Sequence, residues 1–283
     1  NMATVPTDST TMAAQLRKNC RLHHDGAMYA SKKVAKTDVK AYTVADGLKL
    51  YGGLVYSDGW SSSYAPYGIY SVTTTAPVKV GQFYLGDMYK MGGGGFYAEG
   101  KYYCIDYEIR SFDNQEVVYT TLYINDANPF KYTTSVSLGM SHIAKDLTFD
   151  PIEQRAYGIF SVGSLENRYL LGAMNLKDYK IEELFDLDQI HVAIAADSKG
   201  NIFTIGEDGV LYRLDRNARS LVEVGTTGVS VDNRYAQSAT FDMESGILYW
   251  AALHSDLTTA LYKVDTYTGL ASKIGDFPDN EEF

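Results

Sequence analysis

The side chains of this sequence with the best means of doing chemistry are His142, His191 and His254, together with the carboxylate of Asp146. Three imidazoles converging on one point would make a metal site, because neutral ring nitrogens are good zinc ligands. No compact ligand spacing supports such a site, and no metal is expected. His23 and His24 are adjacent, and neighbours in sequence need not face one ligand. Asp146 would need a second carboxylate about 5–10 Å away to cleave a glycosidic bond. The other recurring acids, Asp46, Asp150, Asp197 and Asp242, each end an apolar run, where an Asp side chain initiates a turn by accepting a bond from backbone two residues on. One carboxylate is not a hydrolase, so the residues lean away from an enzyme. A glycoside hydrolase or lyase using Asp146 and the histidines is the alternative.

A second kind of chemistry is stacking. YSDGWSSSYAPYGIYSV, residues 56–72, carries Trp60, Tyr64 and Tyr67 among serines, a proline and two glycines. Aromatic side chains on a loop can stack on a sugar face or anchor a protein interface. They can equally fold back and seal the edge of a sheet. Trp250, inside an apolar run, reads as core. MGGGGF (91–96) lacks the Lys-Ser/Thr of a phosphate loop, and a close approach of backbone explains it better. There is no G-x-S-x-G elbow, no calcium loop and no cofactor motif. Cys20 and Cys104 match no zinc spacing, and one disulfide or two thiols fit equally well.

What positions these residues is a repeat. QSATFDMESGILYWAALHSDLTTALYKVDTYTGLASKIGDF (237–277) reads as four short strands with Asp- and Gly-rich turns. The layout recurs at 192–225, 146–187, 93–137 and 39–85. Tyr70, Tyr123, Tyr212 and Tyr262 hold one place in the third run, and Gly81, Gly225 and Gly275 follow Val or Ile in the fourth. Five such units predict an all-β fold, a β-propeller of four-stranded antiparallel blades, with six blades as the alternative. Residues 39–283 form the propeller. Residues 1–38 are an N-terminal segment, a short helix or a strand able to close the ring. The net charge of −10 opposes binding to nucleic acid, and no stretch is apolar for long enough to span a membrane.

The units, with turns such as DMESGILYW (242–250) and LYKVDTYTG (261–269), resemble the divergent propeller blades of secreted and envelope-associated bacterial proteins. The resemblance covers residues 39–279 and is one of architecture. It implies first strands lining a central channel, with the second-to-third loops and inter-blade links sharing the face where ligands of this fold sit. That face would hold Trp60, Tyr64 and Tyr67, then Phe112 and Asn114 in the long connection 108–120, then His142, His191, Arg234, Tyr235 and His254. The expected function is a non-catalytic binding or scaffold module outside the cytoplasm, recognising a glycan or protein. The acidic tail DFPDNEEF fits a chain with further domains.

Overall fold

The structure, a computed structural model, describes residues 48–58, 68–77, 79–83, 92–127, 130–162 and 168–283. Five antiparallel sheets follow one another along the described chain, each a simple meander. The first is three-stranded: β1 (Lys49–Leu54), β2 (Gly68–Thr73) and β3 (Lys79–Phe83). The second holds β4 (Gly92–Ala98), β5 (Lys101–Phe112), β6 (Gln115–Ala127) and β7 (Phe130–Gly139). The third holds β8 (His142–Asp150), β9 (Arg155–Val162), β10 (Arg168–Met174) and β11 (Ile181–Leu187). The fourth is β12 (His191–Ala196), β13 (Ile202–Gly206), β14 (Val210–Asp215) and β15 (Ser220–Thr226). The fifth is β16 (Ser238–Phe241), β17 (Leu248–Leu253), β18 (Thr259–Val264) and β19 (Ala271–Asp276).

The first strands of successive sheets, β4, β8, β12 and β16, run side by side around a common axis. This is a β-propeller, with four complete blades and one three-stranded sheet among the described residues. Each sheet buries both faces against its neighbours, which is why its strands read as apolar runs. Val192, Phe203 and Leu211 of blade 4 pack on Phe241, Trp250 and Tyr262 of blade 5. Tyr157 and Leu171 of blade 3 pack on Ile194 and Ile202 of blade 4. Trp250 is fully buried and donates its indole N–H to Gln237 Oε1 at 3.0 Å, the core role expected of it.

The recurring acids are turn residues. Asp150 Oδ1 accepts from Ile152 N at 2.8 Å, Asp197 Oδ1 from Lys199 N at 2.9 Å, and Asp242 Oδ1 from Glu244 N at 3.3 Å. Asp46 lies outside the described residues. The Val/Ile-Gly step in the fourth strands is a β-bulge, since the register shifts beside Ser71–Gly81, Leu211–Gly225 and Leu261–Gly275. Two of these glycines also sit at blade junctions. A Cβ on Gly225 would lie 2.0 Å from Thr268 O, and one on Gly275 would lie 3.0 Å from Pro77. Thr268 and Pro77 both occupy third-to-fourth turns, so blade 5 meets blade 1 as blade 4 meets blade 5.

That contact helps close the ring, and the C-terminal segment reinforces it. Val55 N donates to Glu282 O and Glu282 N to Tyr56 O, both at 2.9 Å, while Asp58 N donates to Asp279 O at 2.7 Å. Leu50 and Val72 of blade 1 pack with Tyr249, Leu261 and Phe277 of blade 5. The alternative closure through residues 1–38 falls outside the described residues.

The glycine run of 92–95 meets the close-approach expectation. Gly94 has φ +88, and a Cβ there would lie 2.6 Å from Leu147 N and 2.7 Å from Asp146 Cα. Backbone of β4 therefore lies directly on backbone of β8. On Gly93 a Cβ would meet the Tyr107 hydroxyl at 2.6 Å.

Candidate functional site

Inner strands that start at one end of the ring place the second-to-third loops and the inter-blade links on one face. Trp60, Tyr64 and Tyr67 lie outside the described residues, as do His23, His24 and Cys20. The connection 108–120 is not a loop. It is the end of an unbroken β5–β6 hairpin paired from Lys101↔Asp126 to Phe112↔Gln115. Its two-residue turn is Asp113-Asn114, with φ +47 and +65, a left-handed pair that Asn and Asp tolerate well. Among the described residues, β4 pairs with β5 only as far as Asp106, and β7 with β6 only as far as Thr120. Beyond those points the hairpin continues as a two-stranded arm. Its tip exposes Arg110, Ser111, Asp113, Asn114 and Gln115, and its root is anchored by Tyr107 and the fully buried Val118. The Tyr107 hydroxyl donates to Ala144 O at 3.0 Å and accepts from Ala144 N, tying the arm to β8.

The histidines do not converge. His142 and His191 are the first residues of β8 and β12 rather than members of the links before them. His142 Nε2 bonds Glu183 Oε1 at 3.0 Å, and its Nδ1 lies 2.9 Å from Ser141 Oγ. His191 is buried, with Nδ1 2.9 Å from Thr204 Oγ1 and its ring edge-on to Tyr212. His254 bridges Thr258 Oγ1 at 2.8 Å and the Tyr262 hydroxyl at 2.7 Å. Each imidazole is thus held by its own blade. No group of three or more His, Cys, Asp or Glu poised for a metal occurs among the described residues. Cys104 is buried on β5, 3.9 Å from Asn125 Nδ2.

Burial sets the proton affinity of His191, lowering it to about 4. The folded state therefore keeps the ring neutral where the unfolded chain, near 6.5, binds a proton. The stability linked to that difference is complete above pH 6.5 and is lost as pH falls toward 4. Between pH 7.5 and 5 the wild type should lose about 2 kcal/mol that a His191→Asn variant does not lose. Urea unfolding of both proteins at the two pH values measures the difference. Equal losses would place the ring in solvent.

Asp146 sits at the centre of the ring and is fully buried. Its Oδ2 accepts from Ile194 N on β12 at 2.9 Å, and its Oδ1 accepts from Ser238 Oγ on β16 at 2.8 Å. Backbone N–H groups of Leu147 and Ala239 bond it as well. One carboxyl joins three inner strands. Thr148 repeats the device, its Oγ1 accepting from Ala196 N at 2.9 Å. Burial raises the Asp146 carboxyl to about 7 against the opposing pull of these donors. Beside it, half-buried Lys145 faces a central cavity, and burial lowers its ammonium to about 8 although Asp232, Glu207, Asp146 and Glu282 pull the other way. Sequence reasoning passed over Lys145, whose only signal was a charge inside an apolar strand.

Arg234 and Tyr235 lie in the link before β16. Asp232 accepts from Arg234 Nε at 2.9 Å and Nη2 at 2.6 Å, and the guanidinium lies over the Tyr235 ring, 5.1 Å from its centroid. Tyr235 itself is buried and Arg234 about half exposed. With Glu207, whose carboxylate accepts from Asn233 Nδ2, they form a braced rim between blades 4 and 5.

No protein-family model matches the chain, and no curated protein matches it. Among solved structures, a TolB from Acinetobacter baumannii is similar over 79% of this chain and 52% of its own, at 12% identity and a TM-score of 0.46. A structural-genomics protein of unknown function from Bacteroides thetaiotaomicron is similar over 64% of this chain and 42% of its own, at 10% identity and a TM-score of 0.45. The matching part of this chain spans about half the length of these structures or less. The propeller architecture rests on the sheets themselves.

Proposed function

We propose that this protein is a non-catalytic binding module, working outside the cytoplasm, that holds a glycan or protein partner on the face carrying the blade 2 arm. The observation that carries the reading is the arm itself. Blade 4 makes the same connection through Glu207-Asp208-Gly209 between short strands, whereas blade 2 extends two paired strands to an exposed tip. An extension that the blade does not need for closure is a contact element. Phe112 and Asn114 stand at its tip, and Arg234, braced by Asp232, stands on the same face across the ring. His142, His191 and His254 would shape the rim, with Trp60, Tyr64 and Tyr67 contributing from blade 1. The commitment of both Asp146 oxygens to neighbouring strands favours this reading over a hydrolase. Placement outside the cytoplasm draws on the Tyr- and Gly-rich all-β composition and the blade resemblance. No helix among the described residues is long and apolar enough to cross a membrane.

The test is a glycan array probed with the wild type and with a variant whose Ser111–Glu116 is replaced by Asn-Gly. The shortened hairpin should keep its melting temperature and lose at least 10-fold in affinity for any glycan the wild type holds. Undiminished binding by the variant would remove the arm from the site. Turnover of a glycan by the wild type would defeat the non-catalytic reading. A wild type that binds no glycan directs the same pair of proteins to protein partners.

A further inference from the structure

We propose that Lys145 is a carbonyl-capturing amine, forming a reversible imine with an uncharged aldehyde at the axis of the ring. The fold builds its position. In the β8–β9 ladder Ala144 opposes Phe160 and Asp146 opposes Ile159, so Lys145 is the extra residue of a β-bulge. A bulge re-aims the side chain it carries. Here it turns Lys145 toward the wall it shares with Asp106 of blade 2 and with Gln237 and Ser238 of blade 5. The bulge itself does not call for a charge. β12 has one too, at Val192, and that residue is apolar and buried in the contact with blade 5.

The amine is held in an unusual way. A lysine drawn out of bulk water is normally paired. Among the described residues the Lys145 ammonium makes no hydrogen bond and no direct ion pair, and the carboxylates of Asp232, Glu207, Asp146 and Glu282 act on it from farther away. Three of these are engaged elsewhere: Asp146 with β12 and β16, Asp232 with Arg234, and Glu207 with Asn233 and Ile190. The side chain is still partly exposed, so a small molecule reaches it. Burial lowers the ammonium to about 8. About a quarter of it is then neutral at pH 7.5, against roughly a thousandth of an ordinary lysine. A desolvated lysine of this kind is a nucleophile toward carbonyl carbon.

The ammonium and an aldehyde give a protonated imine and one water. The C–N bond forms as the carbonyl C–O bond breaks, the oxygen leaves with two of the nitrogen's protons, and the single positive charge is kept. The surrounding carboxylates favour that charge and repel an anionic carbonyl compound, which selects an uncharged one. This chemistry goes beyond holding a partner on the arm and does not depend on it.

Reductive trapping on the unaltered protein tests the proposal. With limiting propanal and sodium cyanoborohydride at pH 7.5, peptide mass mapping should find Lys145 alkylated ~10-fold or more faster than exposed Lys177 and Lys199. With glyoxylate, an anionic aldehyde, in place of propanal, the ratio of Lys145 to Lys177 labelling should fall ~3-fold or more. Alkylation of Lys145 no faster than that of Lys177 would overturn the proposal. A ratio as high for glyoxylate as for propanal would also overturn it, because the amine would then be reactive without selecting its carbonyl partner.

Discussion

Gly94→Ala should cost this protein about 3 kcal/mol or more, because two penalties fall on one atom. The backbone of Gly94 has φ +88, where a Cβ crowds its own carbonyl. That Cβ would also lie 2.6 Å from Leu147 N, 2.7 Å from Asp146 Cα and 2.9 Å from Asp146 C. None of these is the far end of a flexible side chain, so relief means prising β4 from β8. Two other glycines separate the penalties. Gly100 has φ +80 with nothing within 4 Å of a Cβ, so Gly100→Ala should lose only about 1 kcal/mol. Gly53 also has nothing within 4 Å, and its φ lies outside the left-handed region, so Gly53→Ala should be near neutral. Urea unfolding of the three variants would show the order. A Gly94→Ala loss no greater than that of Gly100→Ala would mean that the two inner strands do not touch at this point.

The glycines also show which part of the fold was legible in the sequence. A run of four glycines opening a strand signals close backbone contact, and that much could be read. Its partner could not, because Leu147 is brought to Gly94 by the circular order of the blades. The Asp turns were legible for the opposite reason, since each accepts from backbone within a few residues of itself. In the fourth strands the Val/Ile-Gly recurrence was visible, but its meaning, a bulge against the next blade's turn, required the packed ring. The stretch 108–120 misled because Asp113-Asn114 is a weaker hairpin signal than Asn-Gly, while Glu, Arg and Ser suggested a loop. The alternation of Ile109 with polar neighbours, and of Val118 with Tyr119, was the strand signal there. For the histidines, sequence placed all three on one rim, yet convergence depends on the width of the ring. Short bonds to Glu183, Thr204 and Thr258 hold them in separate blades.

Asp146 is where the binding and hydrolase readings part most sharply, and Asp146→Ala should destabilise the protein by about 4 kcal/mol at pH 5. The change would leave the Ile194 N–H and the Ser238 hydroxyl without their buried acceptor and open a void at the junction of β8, β12 and β16. A carboxyl raised to about 7 is also what a general acid requires, so the shift alone does not choose between structure and catalysis. Its linkage to folding does. The folded state holds the proton between about pH 4 and 7, where the unfolded chain has released it, so this group's contribution is full below pH 4 and is lost as pH rises through 7. Asp146→Asn mimics the protonated form imperfectly, because its amide must turn an N–H toward a site crowded with donors. It should therefore be less stable than the wild type at pH 5. The deficit should shrink by about 2 kcal/mol by pH 8, where the wild type bears the cost of a buried charge. Glycan or protein binding should survive in Asp146→Asn at temperatures where it remains folded. Unchanged stability at both pH values, together with a loss of turnover on a polysaccharide, would favour the hydrolase instead. The carboxyl would then be a general acid at the mouth of the channel, and its bonds to β12 and β16 would serve to position it.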